Sequence, residues 1–170
     1  MNEKPAEGPL LKRSLSIEQW HQYGLQGDML PVTITLEGES MRPLIRRGKE
    51  PVTILPLMRR PLIGDVVLFR GGPKRYVVHR VWKMRDGLVQ TLGDNCVTPD
   101  AWMPLEDVWG LVVRFERFGR SWRLDTANAR AFGRIWMALF PVRVFYKKCR
   151  GLAARIVKRV LKLGQKNESS

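Results

Sequence analysis

Between Val32 and Phe115 the chain repeats a pattern that few folds accommodate: short runs rich in β-branched and aromatic residues, each closed by glycine, proline or aspartate. Val32-Thr-Ile-Thr-Leu opens the series and Pro51-Val-Thr-Ile-Leu repeats it. Asp65-Val-Val-Leu-Phe, Arg75-Tyr-Val-Val-His-Arg-Val-Trp, Gly87-Leu-Val-Gln-Thr-Leu and Val108-Trp-Gly-Leu-Val-Val-Arg-Phe follow. The connectors are Arg47-Gly, Gly71-Gly-Pro, Arg85-Asp-Gly and Gly93-Asp-Asn. Successive side chains of a strand point to opposite faces, so runs of this length between turn residues predict strands joined by tight connections. The expected fold is mainly β, a curled antiparallel sheet or partly open barrel.

A chain of 170 residues, 44% of them hydrophobic, is enough for one packed core and hardly for two. The expected organisation is an N-terminal segment (1–30), a β domain (31–124) and a helical tail (125–170). Residues 1–13 are polar and read as a disordered start. A short helix is expected from Ser14 to Tyr23, with an N-cap serine and a first-turn acid in Ser14-Leu-Ser-Ile-Glu and with Leu15, Ile17 and Trp20 facing the core. No apolar leader segment follows Met1, and the longest weakly charged apolar run, Ile135–Val142, is far shorter than a membrane span. Neither a signal peptide nor a transmembrane helix is expected, which leaves a peripheral membrane or cytoplasmic location.

The charge is concentrated at one end. Residues 130–170 hold eleven of the thirty Lys and Arg against one acid, Glu168, so they carry +10 of the formal +14. A helix from Ala129 to Phe140, ended by Pro141, is expected to precede a second, basic amphipathic one. At 100° per residue, Lys147, Lys148, Arg155, Lys158, Arg159 and Lys162 share one face, and only Arg143, Val144 and Arg150 break the segregation. Such a helix either lies on anionic lipid or docks on its own sheet with a solvated basic face. No nucleic-acid partner is expected, because no recognition motif accompanies the charge. Cys96 and Cys149 lack metal-type spacing and read as free thiols, and the two histidines lie far apart, so no metal or cofactor is expected.

Three segments carry candidate chemistry. In Gly38-Glu-Ser-Met-Arg-Pro, Ser40 sits between Gly38 and Pro43 on a turn suited to a nucleophile whose own N–H holds an oxyanion, although a serine in such a turn is more often an ordinary loop residue. His79 interrupts an apolar strand. Taken singly, an isolated strand histidine is more often a packed one, but of the two histidines it is the better general base for Ser40. Gly93-Asp-Asn and Thr98-Pro-Asp are turns offering two carboxylates, Asp94 and Asp100, either of which would orient His79.

Together these segments resemble the signal peptidase clan, which includes the LexA-type self-cleaving repressors. Gly38-Glu-Ser-Met-Arg-Pro matches the G-x-S-M-x-P nucleophile motif, including Met41 and Pro43. Gly64-Asp-Val-Val-Leu-Phe is similar to the G-D-[VI]-V strand. His79 stands where bacterial members have a lysine and the archaeal and endoplasmic-reticulum type a histidine, and Gly93-Asp-Asn…Asp100 resembles the G-D-N…D segment. The resemblance spans residues 34–113 and implies a signal-peptidase-like β fold. It also implies a serine endopeptidase acting on a peptide or preprotein, with Ser40 as nucleophile, His79 as base, Asp100 orienting it and Asp94 shaping the turn. At Gly38 many bacterial members place a serine as second oxyanion donor. The alternative is a regulatory module of the same clan, either non-catalytic or self-cleaving. Self-cleavage fits poorly, since about 30 residues before the sheet are too few for a DNA-binding domain and residues 1–35 hold no Ala-Gly pair.

Overall fold

The computed structural model describes residues 16–73 and 75–150. The basic face expected at Arg155, Lys158, Arg159 and Lys162, and the Ser14 and Leu15 positions, lie outside the described residues. A helix, α1 (Ile17–Leu25), precedes eight strands: β1 (Val32–Thr35), β2 (Pro51–Pro56), β3 (Val66–Arg70), β4 (Tyr76–Arg85), β5 (Leu88–Leu92), β6 (Met103–Pro104), β7 (Val108–Arg117) and β8 (Arg120–Arg123). Two helices close the described chain, α2 (Ala127–Ala138) and α3 (residues 140–150).

The strands form one antiparallel sheet in the order β1-β2-β7-β3-β4-β5-β6, with β8 folded back on β7. It is a half-barrel. Alternation explains its two cores. Val52, Ile54, Val66, Leu68, Val78 and Val112 turn to one side, joined there by Trp20 of α1 and by Met41 and Ile45. Val67, Phe69, Val81, Val89 and Leu111 fill the other. β3 and the first half of β7 are covered on both faces, so they read as near-continuous apolar runs, whereas edge strand β1 alternates half-buried and exposed residues. The β4–β5 hairpin turns on Asp86 and Gly87, both left-handed (φ 46° and 76°), as a tight two-residue connection requires.

Three expectations are corrected in detail. The first helix runs on to Leu25 rather than ending at Tyr23, and within the expected capping segment Ser16 is its N-cap, its hydroxyl accepting the Gln19 N–H while the Gln19 side chain accepts the Ser16 N–H. Trp20 is buried as expected, with its indole N–H donating to the Leu30 carbonyl at 2.7 Å. β6 and β8 were not expected; each is too short or too exposed to show a periodicity. Pro141 does not end a helix. The break falls at Leu139, and Pro141 sits in the first turn of α3, where its missing N–H leaves no helical bond unmade.

Candidate active site

β4 carries His79 through the middle of the sheet, in register with Val67 of β3. The imidazole is only 7% exposed. Its Nδ1 lies 2.6 Å from Asp100 Oδ2. That same oxygen accepts the Thr91 hydroxyl at 2.7 Å, the Asp100 N–H donates to the Thr91 carbonyl at 2.9 Å, and the Asp100 carbonyl accepts the Gln90 amide at 3.0 Å. Burial works to raise the Asp100 carboxyl, but the hydrogen bonds from His79 and Thr91 outweigh it and hold the group below its ordinary value. An ionised carboxylate only accepts, so the proton between the pair sits on Nδ1, and in the neutral imidazole the lone pair is then on Nε2.

Ser40 lies on the loop between β1 and β2. Met41 (1% exposed) and Ile45 (0%) anchor that loop in the core beneath the serine, and the Gly48 N–H closes it on the Leu36 carbonyl at 2.9 Å. Its far side is clamped by Arg117 at the end of β7, whose guanidinium donates to the Pro43 and Leu44 carbonyls and to both oxygens of the buried Glu50 carboxylate. Glu50 in turn accepts the Arg46 N–H at 2.8 Å. The near side is tied to the turn after β5: the Asn95 N–H donates to the Ser40 carbonyl at 2.6 Å and the Asn95 side chain to the Glu39 carbonyl at 3.1 Å. The Ser40 N–H donates to no group among the described residues.

Gly93 is where these parts meet. A Cβ on residue 93 would stand 2.8 Å from the Ser40 carbonyl oxygen, 3.0 Å from His79 Nε2 and 2.7 Å from Cys96 Sγ. The Ser40 loop and Nε2 of the imidazole therefore converge on one point, and only a residue without a side chain lets them. No hydrogen bond joins Ser40 Oγ to His79 Nε2 among the described residues. A Cβ at Gly38, by contrast, would meet nothing closer than Ser40 Oγ at 3.8 Å, so the second-donor position of the resemblance is open to a side chain.

Asp94 has a different task from Asp100. Both its oxygens are taken by buried Arg80, at 2.9 and 2.7 Å, and Arg80 also donates to the Gly64 carbonyl at 2.8 Å. The Gly64–Asp65 segment is pinned to β4 in the same place. Gly64 N–H donates to the Val81 carbonyl and Val81 N–H to the Asp65 carbonyl, while the Asp65 carboxylate accepts Leu62 N–H and Arg59. Asp94 thus shapes the turn, and Asp100 faces the histidine.

The tail docks here as well. α2 crosses Arg80 at Gly133, where a Cβ would come within 2.6 Å of Arg80 Nη1 and 2.8 Å of the Gly64 carbonyl. Trp136 donates to the Asp94 carbonyl at 3.2 Å, Arg143 donates to that same oxygen, and Lys147 reaches Asn95 Oδ1 at 2.6 Å. Arg80, Thr91 and Arg117 are not among the residues singled out from the sequence, and Trp136, expected at a membrane interface, instead packs against the turn at Asp94. Arg80 had a visible signal, a full charge in the apolar centre of β4. The chain matches no protein-family model and none of the curated proteins.

Proposed function

We propose that this protein is a serine endopeptidase of the signal-peptidase-like type. The observation that carries the reading is the oriented imidazole: Nδ1 is held by Asp100 at 2.6 Å, while Nε2 is turned toward the point where the Ser40 main chain also arrives. A substrate peptide bond is cleaved in two steps. Ser40 Oγ attacks the carbonyl carbon and its proton passes to His79 Nε2, while Asp100 stabilises the imidazolium that results. The carbonyl oxygen gains the negative charge and takes the unoccupied Ser40 N–H. Collapse expels the amine, protonated from Nε2, and leaves an acyl-enzyme. Water then attacks that ester with Nε2 as base, freeing the new carboxyl end and Ser40. In this reading the Ser40–His79 hydrogen bond forms on substrate binding, as is common for catalytic hydrogen bonds.

The reaction takes place beside a membrane surface. Phe132, Ile135, Leu139, Val142 and Tyr146 recur at three- and four-residue spacing along α2 and α3, and all stand exposed. Arg150, one turn beyond Tyr146 on exposed α3, adds a cation beside this stripe, an arrangement suited to in-plane binding at anionic lipid. No helix among the described residues is long and apolar enough to cross a membrane.

The test is active-site labelling. A fluorophosphonate is expected to modify Ser40 in the wild-type protein and to leave Ser40→Ala and His79→Gln unlabelled, and a peptide library is expected to show cleavage that depends on Ser40. The missing Ser40–His79 hydrogen bond favours a second reading, a non-catalytic member of the same clan. That reading requires no Ser40-dependent labelling or cleavage, and a Ser40→Ala phenotype identical to wild type.

A further inference from the structure

A pocket of about 800 Å³ opens between the nucleophile loop and α3. Arg42 and Pro43, the second and third residues after Ser40, form one wall, next to Asn95 and Cys96 from the turn that meets His79. Trp136, Val142, Arg143, Lys147 and Arg150 form the other. Its charge is one-sided. The Asp94 carboxylate at its base is fully used by Arg80, and Arg42 pairs at the surface with Glu39 at 3.1 Å. Arg143, Lys147 and Arg150 have no carboxylate partner among the described residues. Arg143 is the most demanding of the three. Its guanidinium lies 4.6 Å over the Trp136 ring, one N–H reaches the Asp94 carbonyl, and Nε and Nη2 are buried with no acceptor among the described residues.

A desolvated cation with unmet donors is costly, and an anion nearby is what offsets it. The rest of the wall, Trp136 and Val142, suits the methylene groups of a side chain that ends in such an anion. The pocket shares its backbone with the nucleophile loop, so an extended peptide rising about 3.3 Å per residue from the scissile bond reaches it within a few residues. We propose that this pocket is a substrate subsite for a carboxylate, and that the enzyme selects peptides with an acidic side chain close to the cleaved bond. The inference rests on the endopeptidase reading above and names its substrate class.

The experiment uses full-length Ser40→Ala protein and fluorescein-labelled decapeptide libraries in which each position in turn is Glu or Gln, read by anisotropy. At one position Glu is expected to bind at least tenfold more tightly than Gln. Arg143→Gln and, separately, Lys147→Gln are expected to bring that ratio close to one. The Gln library is the internal control within each protein, so a variant that merely loosens the fold weakens both libraries and leaves the ratio alone. The inference is overturned if no position favours Glu, absence of any binding included, or if the ratio survives both variants. It is equally overturned if the variants lose affinity for phosphatidylglycerol vesicles while the Glu preference stays intact, which would make the pocket a lipid headgroup site. Fluorophosphonate labelling of the wild-type protein is read alongside. Labelled Ser40 without a Glu preference removes this inference alone, and unlabelled Ser40 removes the reading beneath it.

Discussion

Asp94 and Asp100 are six positions apart on one segment, and substituting each by asparagine should have opposite consequences. Asp94→Asn leaves the Arg80 guanidinium buried against a neutral amide, and breaking a buried pair from one side costs about 3–5 kcal/mol. Thermal unfolding should show this as a fall in Tm on the order of 10 °C. Asp100→Asn keeps the shape but removes the charge that holds Nδ1–H and stabilises the imidazolium. Peptide turnover should drop about 10³- to 10⁴-fold, with a much smaller change in Tm. Equal Tm losses for the two variants would contradict this division of labour. Gly93→Ala is the third single-residue test. The added methyl meets a backbone oxygen at 2.8 Å that cannot rotate away, so the nucleophile loop and His79 must part. Strain of about 1–3 kcal/mol in unfolding experiments, together with lost fluorophosphonate labelling, is the expected result.

At the scale of elements, the loop that carries Ser40 is held on its far side by the acid-sensitive pairing of Glu50 with Arg117. Burial works against the Glu50 charge, but Arg117 and the Arg46 N–H outweigh it and hold the carboxyl below its ordinary value. Asp125, bonded first by Arg123, and Asp100 are lowered too. A carboxyl whose folded-state pKa lies below its unfolded one adds stability that is complete above the unfolded value. That stability is lost as pH falls through the folded one. Tm is therefore expected to fall steeply below roughly pH 4, with Arg117→Met flattening part of that fall, while burial of His21, which holds its imidazole below the ordinary value, adds a shallower loss as pH drops through the ordinary imidazole range. A profile whose main fall lies in the imidazole range instead would place the sensitive carboxylates elsewhere. α2 offers a separate test. Gly133→Ala drives a methyl into Arg80 and the Gly64 carbonyl, and should lift α2 from the sheet at a cost of about 1–3 kcal/mol, seen as faster amide exchange in α2 and in the 93–95 turn.

Across the whole molecule, the site and the exposed stripe lie on one continuous assembly, because Trp136, Arg143 and Lys147 fasten the helices to the turn beside Gly93. Replacing Ile135, Leu139 and Val142 together by Gln removes apolar surface worth about 1.5 kcal/mol or more per side chain if it is buried in lipid. Flotation with phosphatidylglycerol vesicles should fall at least tenfold for the triple variant while Tm stays near wild type. Unchanged flotation would remove the membrane from the proposal. Periodicity was enough to read the six main strands and the mainly β class, since alternation and turn chemistry are local properties of the chain. Residue chemistry pointed to Ser40, His79 and the two aspartates as candidates. The choice between those aspartates, the clamp from Arg117, which lies 77 residues beyond Ser40, and the pairing of Arg80 with Asp94 depend on which side chains the sheet's curl brings into contact, and no local pattern encodes that. Arg143 shows the boundary well. In the sequence it is only a misplaced charge on an amphipathic helix, and its meaning appears once α3 packs against the turn at Asp94 and leaves that charge facing a pocket.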